Sequence, residues 1–203
     1  MGFFMVKKPT VSICMPTLNC GLTVKLVLDT IKNLDYDKSK LEVIFVDGGS
    51  TDETLDILEK FREENLGKYW DIKIIKRKTN ISEARNLCVL RSHGKYIFFV
   101  DSDVLLTREC LKRLLSHMKV CDIASIFYGD YGWKDPDCSV RYVKHVGMGC
   151  TMIKRGVFKK IGLFNPFLSR GEDCDFCFRA VNSNLKILLD STIQLYHMGI
   201  ALA

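Results

Sequence analysis

The chain has 203 residues, of which 47% are hydrophobic and 27% charged, which is ordinary for a soluble globular protein and enough for one sizeable core. No apolar run approaches the ~20 residues that a membrane-spanning helix needs, and residues 2–6 are too short for the core of a signal peptide, so we expect a cytoplasmic protein. The net charge of +6 suits an anionic ligand or peripheral contact with an anionic membrane, whereas no module typical of nucleic-acid-binding proteins is present.

Strand and helix patterns alternate along the first hundred residues. Short apolar runs predict buried strands at 11–15, 41–46, 72–75 and 96–100, and apolar residues at helical spacing predict a helix after each of the first three. Pro16 is expected to stop the first strand. Ser50-x-x-Glu53 is typical of a capping box for the second helix, and Asn80 is the expected N-cap of the third. This alternation indicates a parallel sheet covered on both faces.

The pattern becomes mixed after about residue 120. Strands are predicted at 121–127, 139–143, 148–153, 185–189 and 193–196, with helices near 157–161 and at 172–182. No linker, repeat or low-complexity tract divides the chain, so we expect one domain over 1–203. The whole is therefore predicted to be α/β with a mixed sheet.

Nine cysteines are the unusual feature of the composition. Their number is odd and several lie in predicted strands and helices, which favours reduced thiols packed as small hydrophobic side chains. Cys174 and Cys177 form the one Cys-x-x-Cys pair, but a structural zinc site usually needs a second pair. We therefore do not expect a metal or redox role for this pair.

Two carboxylates directly follow the fourth strand. Asp101 and Asp103 are two residues apart, so they share one face if the strand continues, and open α/β sheets bind ligands at the carboxyl ends of their strands. Two acids there can hold a divalent cation, and the cation can hold a diphosphate. The alternative is an ordinary acidic turn, and the apolar strand that leads to the pair favours the metal site.

Three further side chains stand at the ends of predicted elements. Asp47 is either a turn residue before two glycines or an acceptor of hydrogen bonds from a nucleobase or ribose, and the spacing favours neither. Asp173 opens a helix, whose dipole would keep the carboxylate ionised and able to take a proton from a hydroxyl. His197 is either structural or a nitrogen ligand that would complete a metal site and suit Mn²⁺ somewhat better than Mg²⁺.

Together these motifs resemble the family 2 glycosyltransferases, which have the nucleotide-diphospho-sugar transferase (GT-A) fold. The resemblance runs from about Val11 to Gly199 and depends on the order and spacing of the motifs. They are VSICMPTLN from residue 11, VIFVDGGSTDE from 43, ARN from 84, GKYIFFVDSD from 94, the stretch from Gly149 to GLF at 162–164, and GED from 171. The resemblance implies a Rossmann-like α/β/α sandwich around a mixed, mostly parallel sheet, with a nucleotide-sugar-binding half at about 1–103 and an acceptor and catalytic half at about 104–203.

The resemblance also implies roles for individual residues. Those that would contact the nucleotide-sugar are Pro16, Thr17, Asn19, Asp47, Arg85, Asp101 and Ser102. Asp101 and Asp103 match the DxD motif that binds the metal, and His197 matches an additional ligand of the cation, Mn²⁺ or Mg²⁺. Asp173 matches the catalytic base, with Glu172 as its acidic neighbour.

The implied reaction moves one sugar from a nucleoside-diphosphate sugar to an acceptor hydroxyl in a single displacement that inverts the anomeric carbon. Asp173 would remove the proton of the hydroxyl, and the cation would neutralise charge on the departing nucleoside diphosphate. The Gln-x-x-Arg-Trp motif of processive synthases is not present, so we expect transfer of single sugars. The acceptor is left open among glycans, lipid-linked sugars and proteins.

Three alternatives are weighed against this interpretation. Phosphatases of the haloacid dehalogenase type need Thr or Val four residues after the first Asp of DxD, and Leu105 stands there. Sugar nucleotidyltransferases need a Gly-rich, Arg-containing loop after the first strand, which the chain lacks. A degenerate domain that binds a nucleotide-sugar without turnover is disfavoured by the intact acids.

Overall fold

The structure, a computed structural model, describes residues 8–129 and 135–199. The apolar segment 2–6, judged above too short for a signal peptide, lies outside the described residues. Within them, no helix combines the length and the hydropathy that crossing a bilayer requires.

Nine strands form one sheet and six α-helices flank it in the described part of the chain. The strands are β1 (Val11–Thr17), β2 (Leu41–Asp47), β3 (Asp71–Lys76), β4 (Tyr96–Val100), β5 (Val104–Leu105), β6 (Ile123–Gly129), β7 (Val140–Val143), β8 (Cys150–Lys154) and β9 (Ile187–His197). The helices are α1 (Gly21–Asn33), α2 (Thr54–Glu64), α3 (Ile81–Arg91), α4 (Cys110–His117), α5 (Arg155–Ile161) and α6 (Glu172–Asn182).

The sheet is parallel in its first half and mixed in its second. Strands β3, β2, β1 and β4 lie side by side and parallel, and β8 follows antiparallel to β4. Strand β6 is antiparallel to β8 and parallel to β9, whose far edge pairs antiparallel with β7 and β5. Because β1, β2 and β4 are parallel, the residues that follow them emerge at one edge of the sheet.

Apolar side chains fill both faces of this sheet. Residues of β1 such as Ile13 and Met15 pack with α1, α2 and α4 on one face. Cys14, Ile44 and Phe99 point to the other face, where they pack with α3, α5 and α6. Two buried layers on opposite sides are what alternating side chains on buried parallel strands produce. The result is the α/β/α sandwich expected from the sequence.

The structure corrects several details of the sequence analysis. Strand β1 continues through Pro16 to Thr17, because its pairing with β4 ends at Cys14 and the missing N–H of proline falls beyond that ladder. The predicted capping box at Ser50 is wrong, since α2 begins at Thr54 with no side-chain cap. The two closing strands are one, β9, and both β5 and α4 were not predicted.

The N-cap prediction at Asn80 is confirmed. The Oδ1 atom of Asn80 accepts the backbone N–H of Glu83 at 2.9 Å, and Oε2 of Glu83 accepts the N–H of Asn80 at 3.0 Å. This reciprocal capping box fixes the start of α3, the helix that carries Arg85 to the edge of the sheet.

Candidate active site

A cleft of about 490 Å³ opens at the carboxyl ends of β1 and β4. Its walls come from the end of β1, the start of α3, the segment after β4 and the end of β9. The predicted site residues among them are Pro16, Thr17, Arg85, Asp101, Ser102, Asp103 and His197. The structure therefore brings most of the residues named from the sequence to one cavity. Asn19, Asp47, Glu172 and Asp173 lie outside its immediate lining.

A larger depression of about 790 Å³ lies between the end of α1 and the start of α4. Two of its charged side chains, Asp35 and Lys112, pair with each other at 2.6 Å, and both are half-exposed. None of the predicted site residues lines it. We therefore place the ligand in the smaller cleft, where acidic and basic groups converge from distant parts of the chain.

Arg85 links the two acidic segments of the site. Its buried guanidinium donates from Nη2 to Oδ1 of Asp101 at 3.2 Å and from Nη1 to Oε1 of Glu172, 87 positions along the chain. Burial alone would lower the pKa of Arg85, but the two carboxylates outweigh it and raise the pKa above its ordinary value. This bridge holds the first turn of α6 beside the end of β4.

Asp103 and His197 form the opposite corner of the cleft. Val104 pairs with His197 where β5 meets β9, and the backbone N–H of Met198 donates to the carbonyl of Asp103 at 2.9 Å. This places Nε2 of His197 3.1 Å from Oδ2 of Asp103. Burial raises the pKa of Asp103, with His197 opposing the rise and Asp101 adding to it.

The side chains at this corner are of the types that bind a divalent cation, although the ligand atoms of Asp101, Asp103 and His197 do not all lie within 4.8 Å of one another. Asp101 and Asp103 offer carboxylate oxygens and His197 an imidazole nitrogen, a set that suits Mn²⁺. Arg85 occupies Oδ1 of Asp101, while a Cβ at position 149 would lie 2.9 Å from Oδ2, so glycine keeps that oxygen uncovered. A cation would also relieve the cost of the partly buried Asp103 charge.

Tyr128 and Gly149 support this corner. The sequence analysis missed Tyr128, and it named Gly149 as part of a motif without a role in the site. The hydroxyl of Tyr128 accepts the N–H of Gly149 at 3.0 Å, and the carbonyl of Gly149 accepts the N–H of Asp101 at 3.0 Å. The Tyr128 ring packs against His197 with 5.9 Å between ring centroids. Burial raises the pKa of Tyr128, so its hydroxyl stays protonated. These contacts depend on how β8 lies between β4 and β6, which no local motif records.

The Asp47 carboxylate is directed into its own turn. Oδ2 accepts the N–H groups of Gly49 at 3.1 Å and Ser50 at 2.9 Å, and Oδ1 accepts the hydroxyls of Ser50 at 2.5 Å and Thr17 at 3.3 Å. Asp47 is almost fully buried, while its neighbour Gly48 lines the cleft. Of the two roles considered from the sequence, the turn role is the one these contacts display.

Asn19 ties the loop after β1 to the same turn. Its Oδ1 accepts the N–H of Thr51 at 2.8 Å, and its own N–H donates to the Ser50 hydroxyl at 2.9 Å. Asn19 has φ 45°, which an Asn side chain tolerates better than most. Its contacts shape the loop that carries Thr17 and Leu18 into the cleft wall.

Asp173 lies outside the cleft lining, next to Glu172 in the first turn of α6, and we call this position the rim of the cleft. Its Oδ1 accepts the N–H of Cys174 at 2.8 Å, and its Oδ2 is 3.6 Å from Nε2 of His145. The same nitrogen is 3.3 Å from Sγ of Cys174. Partial desolvation and the Asp173 carboxylate raise the pKa of the Cys174 thiol. The sequence analysis missed His145, which lies in the loop between β7 and β8 with no motif around it.

Sequence comparisons place these residues in a known context. The model of the glycosyl transferase family 2 matches residues 12–142. Poly(ribitol-phosphate) beta-N-acetylglucosaminyltransferase TarS of Staphylococcus aureus is 33% identical over 104 residues, which is 50% of this chain and 17% of TarS. A PGL/p-HBAD biosynthesis glycosyltransferase of Mycobacterium tuberculosis is 30% identical over 188 residues, covering 86% of this chain and 71% of that protein. The chain thus spans less than a fifth of TarS and most of the mycobacterial relative.

Structure comparisons agree with the sequence comparisons. TarS 1-349 in complex with UDP-GlcNAc has a TM-score of 0.80 at 23% identity and covers 96% of this chain and 60% of that one. The mannosyltransferase PcManGT of Pyrobaculum calidifontis, in complex with GDP-Man and Mn²⁺, has a TM-score of 0.77 at 19% identity, covering 94% and 57%. The GT-A fold predicted from the sequence is confirmed.

Proposed function

This chain belongs to glycosyl transferase family 2, and we propose that it transfers one sugar from a nucleoside-diphosphate sugar to an acceptor hydroxyl, in a cation-dependent reaction that inverts the anomeric carbon. The observation that carries the proposal is the Arg85 bridge. Because it joins Asp101, which lines the cleft, to Glu172 in the first turn of α6, it holds the neighbouring Asp173 close to the proposed donor site.

The donor is proposed to bind with its diphosphate at the corner of Asp101, Asp103 and His197. A divalent cation held by these three residues would supply the positive charge that stabilises the departing nucleoside diphosphate. His197 can serve as a ligand through a ring nitrogen that carries no proton, and its Nε2 lies 3.1 Å from Oδ2 of Asp103. Thr17 and Ser102 line the cleft beside this corner and offer hydroxyls to the donor. Arg85 orients Asp101 by its hydrogen bond to Oδ1.

The acceptor is proposed to enter from the side of α6. The acceptor oxygen attacks the anomeric carbon as the bond to the donor phosphate breaks, and the hydroxyl proton passes to a carboxylate oxygen of Asp173. Glu172 is held by Arg85, which fixes the first turn of α6, and Asp173 in that turn is proposed to face the acceptor. One displacement with the base opposite the leaving group inverts the sugar configuration.

The nature of the substrates is proposed from the relatives. TarS is crystallised with UDP-GlcNAc and named for poly(ribitol-phosphate), so we propose a UDP-sugar as donor and a hydroxyl-bearing glycan or lipid-linked acceptor. The net charge of +6 supports an anionic acceptor or contact with an anionic membrane surface. Seven of the nine cysteine thiols are buried, which supports a reducing, cytoplasmic compartment.

The role of Asp173 is tested by Asp173→Asn, with Asp175→Asn as the matched control. Asp175 lies on the same turn but pairs with Arg179 at 2.8 Å. We expect both variants to bind UDP and Mn²⁺ like the wild type, and only Asp173→Asn to lose transfer, by roughly 10²-fold or more. The assay follows transfer from UDP-GlcNAc to poly(ribitol phosphate), with the anomeric configuration of the product read by proton NMR.

Three outcomes would contradict the proposal. Wild-type transfer by Asp173→Asn would place the base elsewhere, and a product that retains the donor configuration would rule out a single displacement. If the wild type bound UDP-sugars or GDP-sugars but neither transferred nor hydrolysed any of them, the domain would be a nucleotide-sugar-binding module without turnover.

A further inference from the structure

Three different metal-binding side chains meet at the rim of the cleft, outside the corner assigned to the donor cation. His145 comes from the loop between β7 and β8, and Asp173 and Cys174 come from the first turn of α6. Their ligand atoms all lie within 4.8 Å of one another, and no other group of three or more His, Cys, Asp or Glu residues in the described ranges does so. We call this group the His145 cluster.

The distances within the His145 cluster match a tetrahedral ion. Bonds of about 2.0–2.3 Å to nitrogen, oxygen and sulfur at tetrahedral angles place neighbouring ligand atoms roughly 3.3–3.6 Å apart. Nε2 of His145 is 3.3 Å from Sγ of Cys174 and 3.6 Å from Oδ2 of Asp173. These two edges of the tetrahedron therefore exist before any ion binds.

The donor atoms also select the kind of ion. A thiolate, an imidazole and a carboxylate are the ligands of Zn²⁺, whereas Mg²⁺ and Mn²⁺ prefer oxygen. The corner of Asp101, Asp103 and His197 has the opposite character, with two carboxylates and no sulfur. His145 and Cys174 are exposed, so an ion reaches them from solvent without rearrangement of the core.

We propose that the His145 cluster is a binding site for Zn²⁺, with three protein ligands and a fourth position occupied by water. Binding displaces the thiol proton of Cys174 to solvent. The consequence for activity rests on the proposed function: when Asp173 is a zinc ligand, its carboxylate is no longer available as the base. Zinc at the rim then inhibits transfer, while the cation at the donor corner supports it.

The site is tested with Co²⁺ as a spectroscopic substitute for Zn²⁺. The full chain titrated with Co²⁺ is expected to develop a thiolate-to-cobalt charge-transfer absorption with the visible bands of a tetrahedral ion, and added Zn²⁺ should remove both. Cobalt at the donor corner cannot give the charge-transfer band because no thiolate is present there. Cys174→Ser and His145→Ala should lose the band, and Cys138→Ser, which changes the other exposed cysteine, should keep it.

The outcomes separate this proposal from the proposed function. The absence of the band in the wild type, its persistence in Cys174→Ser, or its loss in Cys138→Ser would overturn the zinc site whatever the enzyme does. If the band behaves as expected, wild-type transfer should fall with added Zn²⁺ and transfer by Cys174→Ser should resist it. Equal inhibition of both would overturn the link between the site and the base.

Discussion

At the scale of single residues, the site depends on how Arg85 and Gly149 hold Asp101. Arg85 is a buried cation, and a buried charge is costly unless it is paired. Here it is paired with two acids, so each member of the Asp101–Arg85–Glu172 group stabilises the others. Gly149 packs against the other side of Asp101, and because it has no Cβ it leaves room for both the carboxylate and the Tyr128 ring.

Substitution of Gly149 by alanine tests this arrangement. A Cβ there would lie 2.8 Å from Cζ of Tyr128 and 2.9 Å from Oδ2 of Asp101, so one of them must move. We expect Gly149→Ala to lower the free energy of unfolding by about 1–3 kcal/mol, as overpacking does. We also expect weaker Mn²⁺-dependent binding of UDP, measured by titration calorimetry.

The matched control is Gly156→Ala on α5, where a Cβ meets nothing within 4 Å. This change should leave nucleotide binding unaltered and stabilise the helix by up to about 1 kcal/mol. If Gly149→Ala bound UDP as the wild type does, the close packing around Asp101 would have no bearing on the donor site.

At the scale of elements, α4 is tied to β9 by a buried carboxylate. Asp190 is fully buried and accepts hydrogen bonds from Nε of Arg113 at 2.5 Å and from Nε2 of His117 at 2.7 Å. Burial alone would raise the pKa of Asp190, but Arg113, Thr192 and His117 lower it to about 2. The pair anchors a short helix of eight residues that has no side-chain cap at its start.

This pairing predicts a pH dependence of stability. The pKa of Asp190 is lower in the folded state than in the unfolded state, where it is about 3.9, so its contribution is present above pH 4 and is lost as the pH falls toward 2. The contribution is about 2–3 kcal/mol at neutral pH. We expect Asp190→Asn to lower the free energy of unfolding at pH 7 by at least this much, as measured by urea unfolding. We also expect the variant to lose less stability than the wild type when the pH falls from 4 to 2. An equal loss in both proteins over this range would contradict the assignment.

The elements that could be predicted from the sequence are those with a strong local pattern. The strands of the first half are apolar runs, and α3 has a capping box at Asn80 that the structure reproduces. The predicted cap at Ser50 failed because its hydroxyl bonds to Asp47 instead. The two-residue strand β5 has no such local pattern, and its position follows from tertiary pairing with β9. Helix α4 does have one, since the buried apolar residues Cys110, Leu111 and Leu114 stand at helical spacing, and the sequence analysis overlooked it.

The same division applies to the candidate site. Asp101, Asp103 and Asp173 stand in short motifs at the ends of elements, so they could be named from the sequence. Tyr128 and His145 could not, because their proximity to the acids is created by strand pairing between β6, β8 and β9 and by the docking of α6. Which partner an acid meets is a property of the fold rather than of its neighbours in sequence.

At the scale of the whole molecule, α3 joins the two halves of the chain. Besides the Arg85–Glu172 pair, Nδ2 of Asn86 donates to the carbonyl of Phe164 and Oδ1 accepts its N–H, at 2.8 and 2.9 Å. The hydroxyl of Ser82 donates to the carbonyl of Leu168 at 2.5 Å. The segment before α6 is thus hydrogen-bonded to α3, the helix that lines the cleft. These contacts support a single domain in which the proposed base and the proposed donor site keep a fixed distance from each other.

The most direct test of the account is to titrate UDP and GDP into the protein, once with Mn²⁺ and once with EDTA. The titrations compare the wild type with Asp103→Asn and His197→Ala. The control is Asp56→Asn, which lies on the exposed face of α2. We predict that one nucleotide binds only with Mn²⁺. We also predict that Asp103→Asn weakens this binding by roughly 10²-fold, or about 2.7 kcal/mol, that His197→Ala weakens it less, and that Asp56→Asn leaves it unchanged. Equal affinity with Mn²⁺ and with EDTA, or wild-type affinity in Asp103→Asn, would contradict the claim that these side chains gather around one cation and one diphosphate.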